Sequence, residues 1–203
     1  MSKAPRCCGP NHMIEFNITK PEDFITMPWR NGLGSTIELV KHWSGDSFQW
    51  RLSMADVTQN GAFSDFSGYD RCLLLMHGKG MTLTDQAGQQ WCLSETLDAA
   101  HFKGEDLIDA RLHDGPILDF NLMTRRKDCR AKVFTSQQEK GQNIDLNGDL
   151  FLLFSMQGHT FFQLNQTQET PLEEQHLLQL SPSSADVCYC SGEAWIGILI
   201  SYL

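Results

Sequence analysis

The stretch Asp70-Arg71-Cys72-Leu73-Leu74-Leu75-Met76-His77 decides the fold, because a similar stretch occurs again later in the chain. Residues 70–84, which contain this apolar run, resemble residues 149–163. A second pair of segments has the same separation of 79 positions, residues 115–120 and 194–199. Two independent pairs at one offset indicate an internal duplication.

Each repeated unit is a series of short strand-like segments without a long helical pattern. The alternation is clearest in residues 48–55, where Phe48, Trp50, Leu52 and Met54 share one face and Gln49, Arg51, Ser53 and Ala55 share the other. This period of two predicts antiparallel β-structure. We therefore predict an all-β protein with two β-barrels in tandem. The expected divisions are a flexible tail over residues 1–13, a first barrel over 14–126 and a second over 127–203.

The charge balance limits the classes of partner. The 203 residues include 16 Lys and Arg against 25 Asp and Glu, a net charge of −9. Binding to nucleic acid or to an anionic membrane needs a basic surface, so neither is expected as a partner. A small anionic ligand is still compatible with this balance, because a few arginines can cluster locally.

The N-terminal residues, the lengths of the apolar segments and the cysteine spacing all bear on the cellular compartment. The N-terminal residues lack the apolar run of a signal peptide, and no segment approaches the roughly 20 apolar residues of a membrane span. The seven cysteines do not follow the spacing of a disulfide scaffold, which suits a reducing compartment. These features predict a soluble, cytoplasmic protein.

A second distinctive stretch, Met27-Pro28-Trp29-Arg30-Asn31-Gly32-Leu33-Gly34, interrupts the strand pattern. Pro28 fixes its own φ angle, and the glycines let the backbone approach other groups closely. The stretch nevertheless carries an indole, a guanidinium and a carboxamide side by side. This combination predicts a loop at the rim of the first barrel that holds polar groups toward a ligand.

Four ordered motifs resemble the HutD/Ves family: residues 27–32 (MPWRNG), 48–55 (FQWRLSMA), 63–71 (FSDFSGYDR) and 119–126 (DFNLMTRR). The resemblance implies the bicupin fold, in which two cupin-type jelly-roll barrels share one chain. The family's name links one branch to histidine utilisation and the other to environmental stress. Members of the first branch tend to have a run of glycines where this chain has Gly32-Leu33-Gly34, so the branch stays open.

Metal and nucleophile motifs are missing from the sequence. Cupins commonly bind a divalent metal through a His-x-His pair, and the resemblance implies that this motif is degenerate in the family. The seven histidines here are scattered singly, and Cys188-Tyr189-Cys190 lacks the second pair of a structural zinc site. There is no Gly-x-Ser-x-Gly elbow and no cysteine next to an activating histidine. We predict no metal and no cofactor, and we assign no catalytic residue.

Polar side chains on strand segments form the candidate site. Arg51 and Ser53 share one face of their strand segment, and Arg71 shares its face with the apolar Leu73. In a third segment, Asn121 shares its face with Asp119. Guanidinium and carboxamide groups suit a carboxylate or amide ligand. The predicted ligand-binding residues are Trp29, Arg30, Asn31, Arg51, Ser53, Asp70, Arg71, Phe120, Asn121 and Arg125.

Structural roles are the alternative for several of these residues. Arg51, Asp70 and Arg71 would also fit an ion-pair network that fixes loops to the barrel. Residues 125–127 are more typical of a solvated linker than of a site, and Trp29 is as typical of a plug over the barrel mouth as of a ligand platform.

Three functions remain open. The first is a metal-free bicupin that binds a small polar or anionic metabolite in an accessory or regulatory role; the resemblance suggests a histidine-degradation intermediate such as urocanate or formylglutamate. The second is a metal-independent isomerase or hydrolase, with Asp119, Asp70 or His77 as its acid or base. The third is a structural protein that forms a homodimer through the second barrel. The apolar residues 195–203 are then either core or dimer interface.

Overall fold

The structure is a computed structural model that describes residues 15–29, 34–139, 141–183 and 185–203. Its regular structure is almost all strand, which confirms the predicted fold class. Within the described residues the only helix is a 3-10 turn, Pro21–Asp23. None of these residues forms a helix long and apolar enough to span a membrane.

The first barrel consists of two facing antiparallel sheets, whose strands are numbered along the chain. The six-stranded sheet has the order β2 (Ile25–Pro28), β3 (Gly34–Ser44), β4 (Ser47–Val57), β11 (Ile117–Arg125), β6 (Tyr69–His77) and β9 (Ala99–Lys103). The four-stranded sheet has the order β5 (Gly61–Ala62), β10 (Asp109–Leu112), β7 (Met81–Thr84) and β8 (Gln90–Leu93).

The second barrel is one seven-stranded sheet that wraps around its own core. Its main path is β1 (Phe16–Thr19), β16 (Leu177–Leu180), β14 (Leu150–Leu164), β17 (Val187–Tyr202) and β12 (Cys129–Thr135). Two short strands, β13 (Gly141–Asp145) and β15 (Thr170–Leu172), extend the sheet by pairing with β17 and β14. The β14–β17 ladder shifts register twice between Ser155 and Thr160. Such bulges bend a long pair of strands, so both arms of the pair cover the same interior.

The barrel boundary differs from the predicted one at the N-terminus. β1 was expected in a first barrel that begins at residue 14, but it pairs with β16 of the second barrel, from Phe16 opposite Leu180 to Thr19 opposite Leu177. Alternation in a sequence identifies a strand and its faces but does not identify its pairing partner. The predicted tail, residues 1–13, lies outside the described residues.

Three apolar clusters fill the molecule, and the alternation of side chains assigns residues to them. The first-barrel core includes Leu73, Leu75, Leu83 and Ile117, and the second-barrel core includes Phe151, Leu153, Phe162 and Trp195. The inter-barrel core lies between the six- and seven-stranded sheets and includes Trp50, Leu52, Leu74, Phe120, Phe154 and Ile198.

This arrangement explains the repeated apolar run. In β6, Leu73 and Leu75 face the first-barrel core, whereas Leu74 faces the inter-barrel core. Because β6 is covered on both faces, its sequence is continuously apolar rather than alternating. β17 is likewise a central strand, and Trp195, Ile196 and Ile198 are fully buried within it. The apolar C-terminal residues therefore belong to the core for most of their length.

Candidate functional site

The candidate site is a cavity of about 560 Å³ inside the first barrel, between its two sheets. Strands β4, β6 and β11 contribute its polar wall, and the residues that follow β4 contribute much of its rim. Its lining comprises Pro28, Trp29, Thr36, Arg51, Ser53, Ala55, Val57, Gln59, Asn60, Gly61, Ala62, Phe63, Ser64, Phe66, Arg71, Ala110, Asp119, Asn121 and Met123.

The strand register brings the polar groups together in rows across the sheet. Met123 of β11 lies opposite Arg51 of β4 on one side and Arg71 of β6 on the other. One step of two residues along β11, Asn121 lies opposite Ser53. Because cross-strand partners point to the same face, these side chains line one wall.

Arg71 is a buried cation in an aromatic surround. Its side chain is 7% exposed, and its Cζ atom lies 5.0 Å from the ring centres of Phe63 and Phe102 and 5.6 Å from that of Phe66. Contacts of this kind hold a guanidinium by cation–π attraction. Burial lowers the pKa of Arg71 to about 10, with a smaller lowering by Arg51 and an opposing effect of Asp119. Arg71 therefore stays charged at neutral pH in a poorly hydrated position.

Asp119 is the buried carboxyl group of the same wall. It is 1% exposed, and this burial raises its pKa to about 7. The charge of Arg71 and a hydrogen bond from Asn121 act in the opposite direction. Among the ion pairs of the described residues there is none between Asp119 and Arg71, so the two charges on this wall interact without direct contact.

Arg51 has a partner outside the cavity lining. Its Nε atom lies 2.9 Å from Glu38 Oε2, without hydrogen-bond geometry, and the same carboxylate oxygen is 3.5 Å from Lys41 Nζ. Glu38 thus balances part of the positive charge of Arg51. Both side chains remain only 13–14% exposed.

Besides Arg51 Nε, which has Glu38 as its ion-pair partner, three polar atoms on the cavity wall are buried without a hydrogen-bond partner: Arg71 Nε, Asp119 Oδ1 and Asn121 Oδ1. Buried polar groups in proteins are nearly always satisfied, and each exception costs about 1–3 kcal/mol. All three atoms belong to lining residues of the same cavity. The wall therefore presents one unpaired donor, one unpaired acceptor and one carboxyl oxygen that can act as either.

Trp29 closes part of the rim. Its Nε1 donates to Thr36 Oγ1 at 2.8 Å, and its backbone nitrogen donates to the Gly34 carbonyl at 2.9 Å. A Cβ atom at Gly34 would overlap the Asp56 carbonyl oxygen and come within 3.1 Å of the Trp29 ring. Gly34 is therefore needed for this close packing. Arg30 and Asn31, also predicted for the site, lie outside the described residues.

Three other predicted residues lie elsewhere. Asp70 pairs with Arg126 at 3.0 Å and lines a separate groove beside β12, while Arg125 pairs with Asp128. Phe120 faces the inter-barrel core, 5.5 Å from Phe154. The structure thus gathers Trp29, Arg51, Ser53, Arg71 and Asn121 around one cavity and leaves Asp70, Phe120 and Arg125 outside it.

Sequence reasoning missed the aromatic and acidic neighbours of the arginines. Phe63 and Phe66 belong to a motif that we used only for the family resemblance, and their contact with Arg71 depends on a loop conformation. Glu38 faces Arg51 because β3 and β4 are paired with Glu38 opposite Ser53. A signal did exist for Glu38, since a glutamate flanked by the apolar Ile37 and Leu39 in a strand segment needs a cation nearby when it is buried.

The donor set does not fit the metal that cupins commonly bind. Among the described residues, no three His, Cys, Asp or Glu side chains form a group that could hold a metal ion. The charged residues lining the cavity are Arg51, Arg71 and Asp119. Two guanidiniums beside one carboxyl group favour an anion over a divalent cation.

Comparisons with known proteins identify relatives of this chain. The HutD family model matches residues 21–196. A Pseudomonas putida protein, named as an uncharacterized 21.2 kDa protein in the hutC 3' region, is 38% identical over 124 residues. That match covers 60% of this chain but only 64% of the relative. Protein Ves of Cronobacter sakazakii is 32% identical over 168 residues, which cover 79% of this chain and 90% of that protein.

Solved structures agree with these sequence matches. HutD from Pseudomonas fluorescens SBW25 superposes with a TM-score of 0.81 at 28% identity, covering 93% of this chain and 100% of that chain. A cupin 2 conserved barrel domain protein from Leptotrichia buccalis gives a TM-score of 0.50 at 8% identity, covering 83% and 88%, which shows the fold alone. The cupin-type fold predicted from the sequence is confirmed. With the family model matching most of its length, this chain belongs to the HutD family.

Proposed function

We propose that the protein binds a small carboxylate metabolite in the cavity of the first barrel, in an accessory or regulatory role. The observation that carries this proposal is the set of three unpartnered buried polar atoms on one cavity wall, Arg71 Nε, Asp119 Oδ1 and Asn121 Oδ1. A ligand that satisfies them recovers the cost of burying them. The cavity volume of about 560 Å³ lies within the range of small-molecule sites.

The unpaired hydrogen-bonding groups of the wall restrict which chemical groups the ligand carries. Arg71 Nε can only donate, so it calls for an acceptor, and a carboxylate is the acceptor that guanidinium binds best. Asn121 Oδ1 can only accept, so it calls for an N–H or O–H donor. The ligand therefore carries both a carboxylate and a donor group.

Histidine-degradation intermediates meet both requirements. Urocanate combines a carboxylate with an imidazole N–H, and formylglutamate combines carboxylates with a formamide N–H. The relative from the hutC 3' region and the neighbour named HutD support this ligand class for the family. The aromatic side chains Phe63 and Phe66 at the rim favour a flat, unsaturated ligand such as urocanate.

Isothermal titration tests the proposal. Urocanate, N-formylglutamate and formate are titrated into wild type, into Arg71→Met and into the matched control Arg126→Met. Arg126 is an arginine of the same barrel that bonds Asp70 and Glu105 outside the cavity. We expect Arg71→Met to weaken binding by about tenfold or more, the effect of losing one charge-assisted pair, and Arg126→Met to bind like wild type.

Two results would reject the proposal. One is the absence of heat from all three carboxylates with folded wild-type protein. The other is equal binding by wild type and Arg71→Met, which would place the ligand away from the arginine.

A second candidate function, metal-independent acid–base catalysis, is favoured by Asp119. A pKa of about 7 suits proton transfer near neutral pH. The other two predicted candidates are less suitable, since His77 is exposed and Asp70 is held by Arg126. Incubation of the protein with urocanate or N-formylglutamate, followed by NMR, would show any conversion, and Asp119→Asn should abolish it.

A further inference from the structure

We infer that a carboxylate ligand enters this cavity together with one proton, which is taken from solvent and held by Asp119. The inference rests on the proposed function and adds a property of the site: ligand affinity depends on pH. It follows from the position of Asp119, a buried carboxyl group on the same wall as the arginine that attracts the ligand.

Asp119 lies in a confined space with unsatisfied polar groups around it. Asp119 is 1% exposed, and its Oδ1 has no partner. The other unpartnered groups of the wall are Arg71 Nε and Asn121 Oδ1. Arg71 and Asp119 line the same cavity and interact electrostatically, so a ligand carboxylate that binds Arg71 shares one largely buried space with the Asp119 carboxyl group.

Few charged groups of the described residues surround Asp119. The charge of Arg71 from β6 acts on Asp119. Arg51 from β4 lines the same cavity, and its charge is partly balanced by Glu38 of β3. The described lining residues from the four-stranded sheet, Gly61, Ala62 and Ala110, are uncharged. The described loop residues that complete the lining are uncharged as well: Gln59, Asn60, Phe63, Ser64 and Phe66.

A bound carboxylate changes the charge balance of the cavity. With Asp119 ionised, the charged lining sums to one positive charge, and a ligand carboxylate next to Arg71 would be a second anion in the same buried space. Two carboxylates that share a buried site cannot both stay ionised without a large cost, and one of them takes up a proton. Burial already raises the pKa of Asp119 to about 7, so the ligand raises it further.

Binding of the ligand with protonation of Asp119 conserves atoms and electrons. One O–H bond forms on Asp119 with a proton from solvent, no bond breaks in the ligand, and nothing is oxidised or reduced. The protonated carboxyl group then donates a hydrogen bond to the ligand carboxylate, which pairs Oδ1. Proton and anion thus arrive together.

The direction of the pH effect follows from linkage. Below about pH 7 Asp119 is already protonated in the free protein, so affinity is nearly independent of pH. Above about pH 7 each unit of pH lowers the protonated fraction, and affinity falls by up to about tenfold per unit. Binding at about pH 9 is then expected to be one to two orders of magnitude weaker than at about pH 6.

Titration calorimetry in paired buffers measures the proton directly. N-formylglutamate and formate are used as probes because neither titrates between about pH 6 and pH 9. Each is titrated in phosphate and in Tris, whose ionisation enthalpies differ, so the difference in heat counts the protons bound. Wild type should take up close to one proton near pH 8. Asp119→Asn, which carries no titratable group there, should take up none and show a flat affinity profile.

The outcomes separate this inference from the proposed function. Binding with a flat pH profile and no proton uptake would overturn the inference and leave the proposed function standing. Proton uptake that persists in Asp119→Asn would overturn the assignment to Asp119. No heat from either probe at any pH, in wild type that is folded by circular dichroism, would overturn both.

Discussion

Asp119 is a carboxyl group that folding removes from water, and the cost of doing so depends on pH. Its pKa is about 7 in the folded protein against 3.8 for an exposed aspartate. Between these two values the folded state holds a proton that the unfolded state has released. Protein stability therefore decreases as the pH rises from about 4 to about 7, and this group contributes no further change above that range.

Replacement of Asp119 by asparagine tests this cost. Asparagine keeps the shape and carries no charge, so Asp119→Asn should be more stable than wild type above pH 7, by up to about 4 kcal/mol from a shift of about three pKa units. The advantage should shrink as the pH falls toward 4 and vanish below that value, where Asp119 is protonated in both states. Urea denaturation at several pH values measures it. A difference that does not change with pH would show that Asp119 is not buried in an ionisable form.

The polar wall shows which parts of a site can be predicted from sequence. Alternation along β4 and β11 places Arg51 with Ser53 and Asp119 with Asn121, so side chains that share a strand face were foreseeable. The same alternation puts Phe120 on the opposite face, where it packs against Phe154. The aromatic surround of Arg71 was not foreseeable, because Phe63 and Phe66 reach it through a loop whose path no sequence period describes.

At the scale of elements, the segment between β5 and β6 forms part of the cavity rim and is tied to the end of β9. The Phe66 backbone nitrogen donates to the Gly104 carbonyl at 2.8 Å, and the Gly104 nitrogen donates to the Tyr69 carbonyl at 2.7 Å. A Cβ atom at Gly104 would overlap the Phe66 carbonyl oxygen. The position of Phe66 over Arg71 therefore depends on a glycine at the edge of the sheet.

Gly104→Ala should displace this segment. We expect a loss of about 1–3 kcal/mol, typical of overpacking, and weaker binding of carboxylates as Phe63 and Phe66 leave Arg71. Thermal denaturation and calorimetry measure the two effects. Gly61→Ala serves as the stability control, since a Cβ there meets open space. Equal melting temperatures for the two variants would contradict the close contact at Gly104.

The positions of strands were easier to predict from the sequence than the partners with which the strands pair. The apolar run of β6 and the alternation of β4 identified both strands, and the repeat at 79 positions indicated two barrels. The barrel to which β1 belongs could not be predicted, because its partner β16 lies far away in the sequence. The short alternation of β1 is also typical of any half-exposed strand. Pairing across such a distance is decided by which edges the folded sheets leave open.

For the whole molecule, the inter-barrel core makes the two barrels one unit. It combines residues from the six-stranded sheet of the first barrel, such as Leu52 and Leu74, with residues from the seven-stranded sheet of the second, such as Phe154 and Ile198. A hydrogen bond of 3.2 Å from Trp50 Nε1 to Tyr202 Oη also joins the barrels. Neither barrel can unfold without exposing this shared apolar surface.

Phe154→Ala should therefore destabilise both barrels together. Removal of a fully buried phenylalanine costs about 3–5 kcal/mol, and the unfolding transition should shift without splitting. Tryptophan fluorescence and far-UV circular dichroism, recorded over one urea series, should give coincident curves. Phe161→Ala on the same strand, where the side chain is partly exposed, is the milder control. Two separated transitions in wild type would show that the barrels are independent.

The pairing of β1 with β16 has a consequence for how the protein is made. A ribosome releases β1 first, yet the hydrogen bond from Gln179 to Thr19 spans 160 positions of the chain. During synthesis β1 has no β16 to pair with until the strands of the first barrel have been translated. The open edge of β16 is then covered by a segment that was translated before any other described strand. The β1–β16 ladder can therefore form only after every strand of the first barrel has been translated.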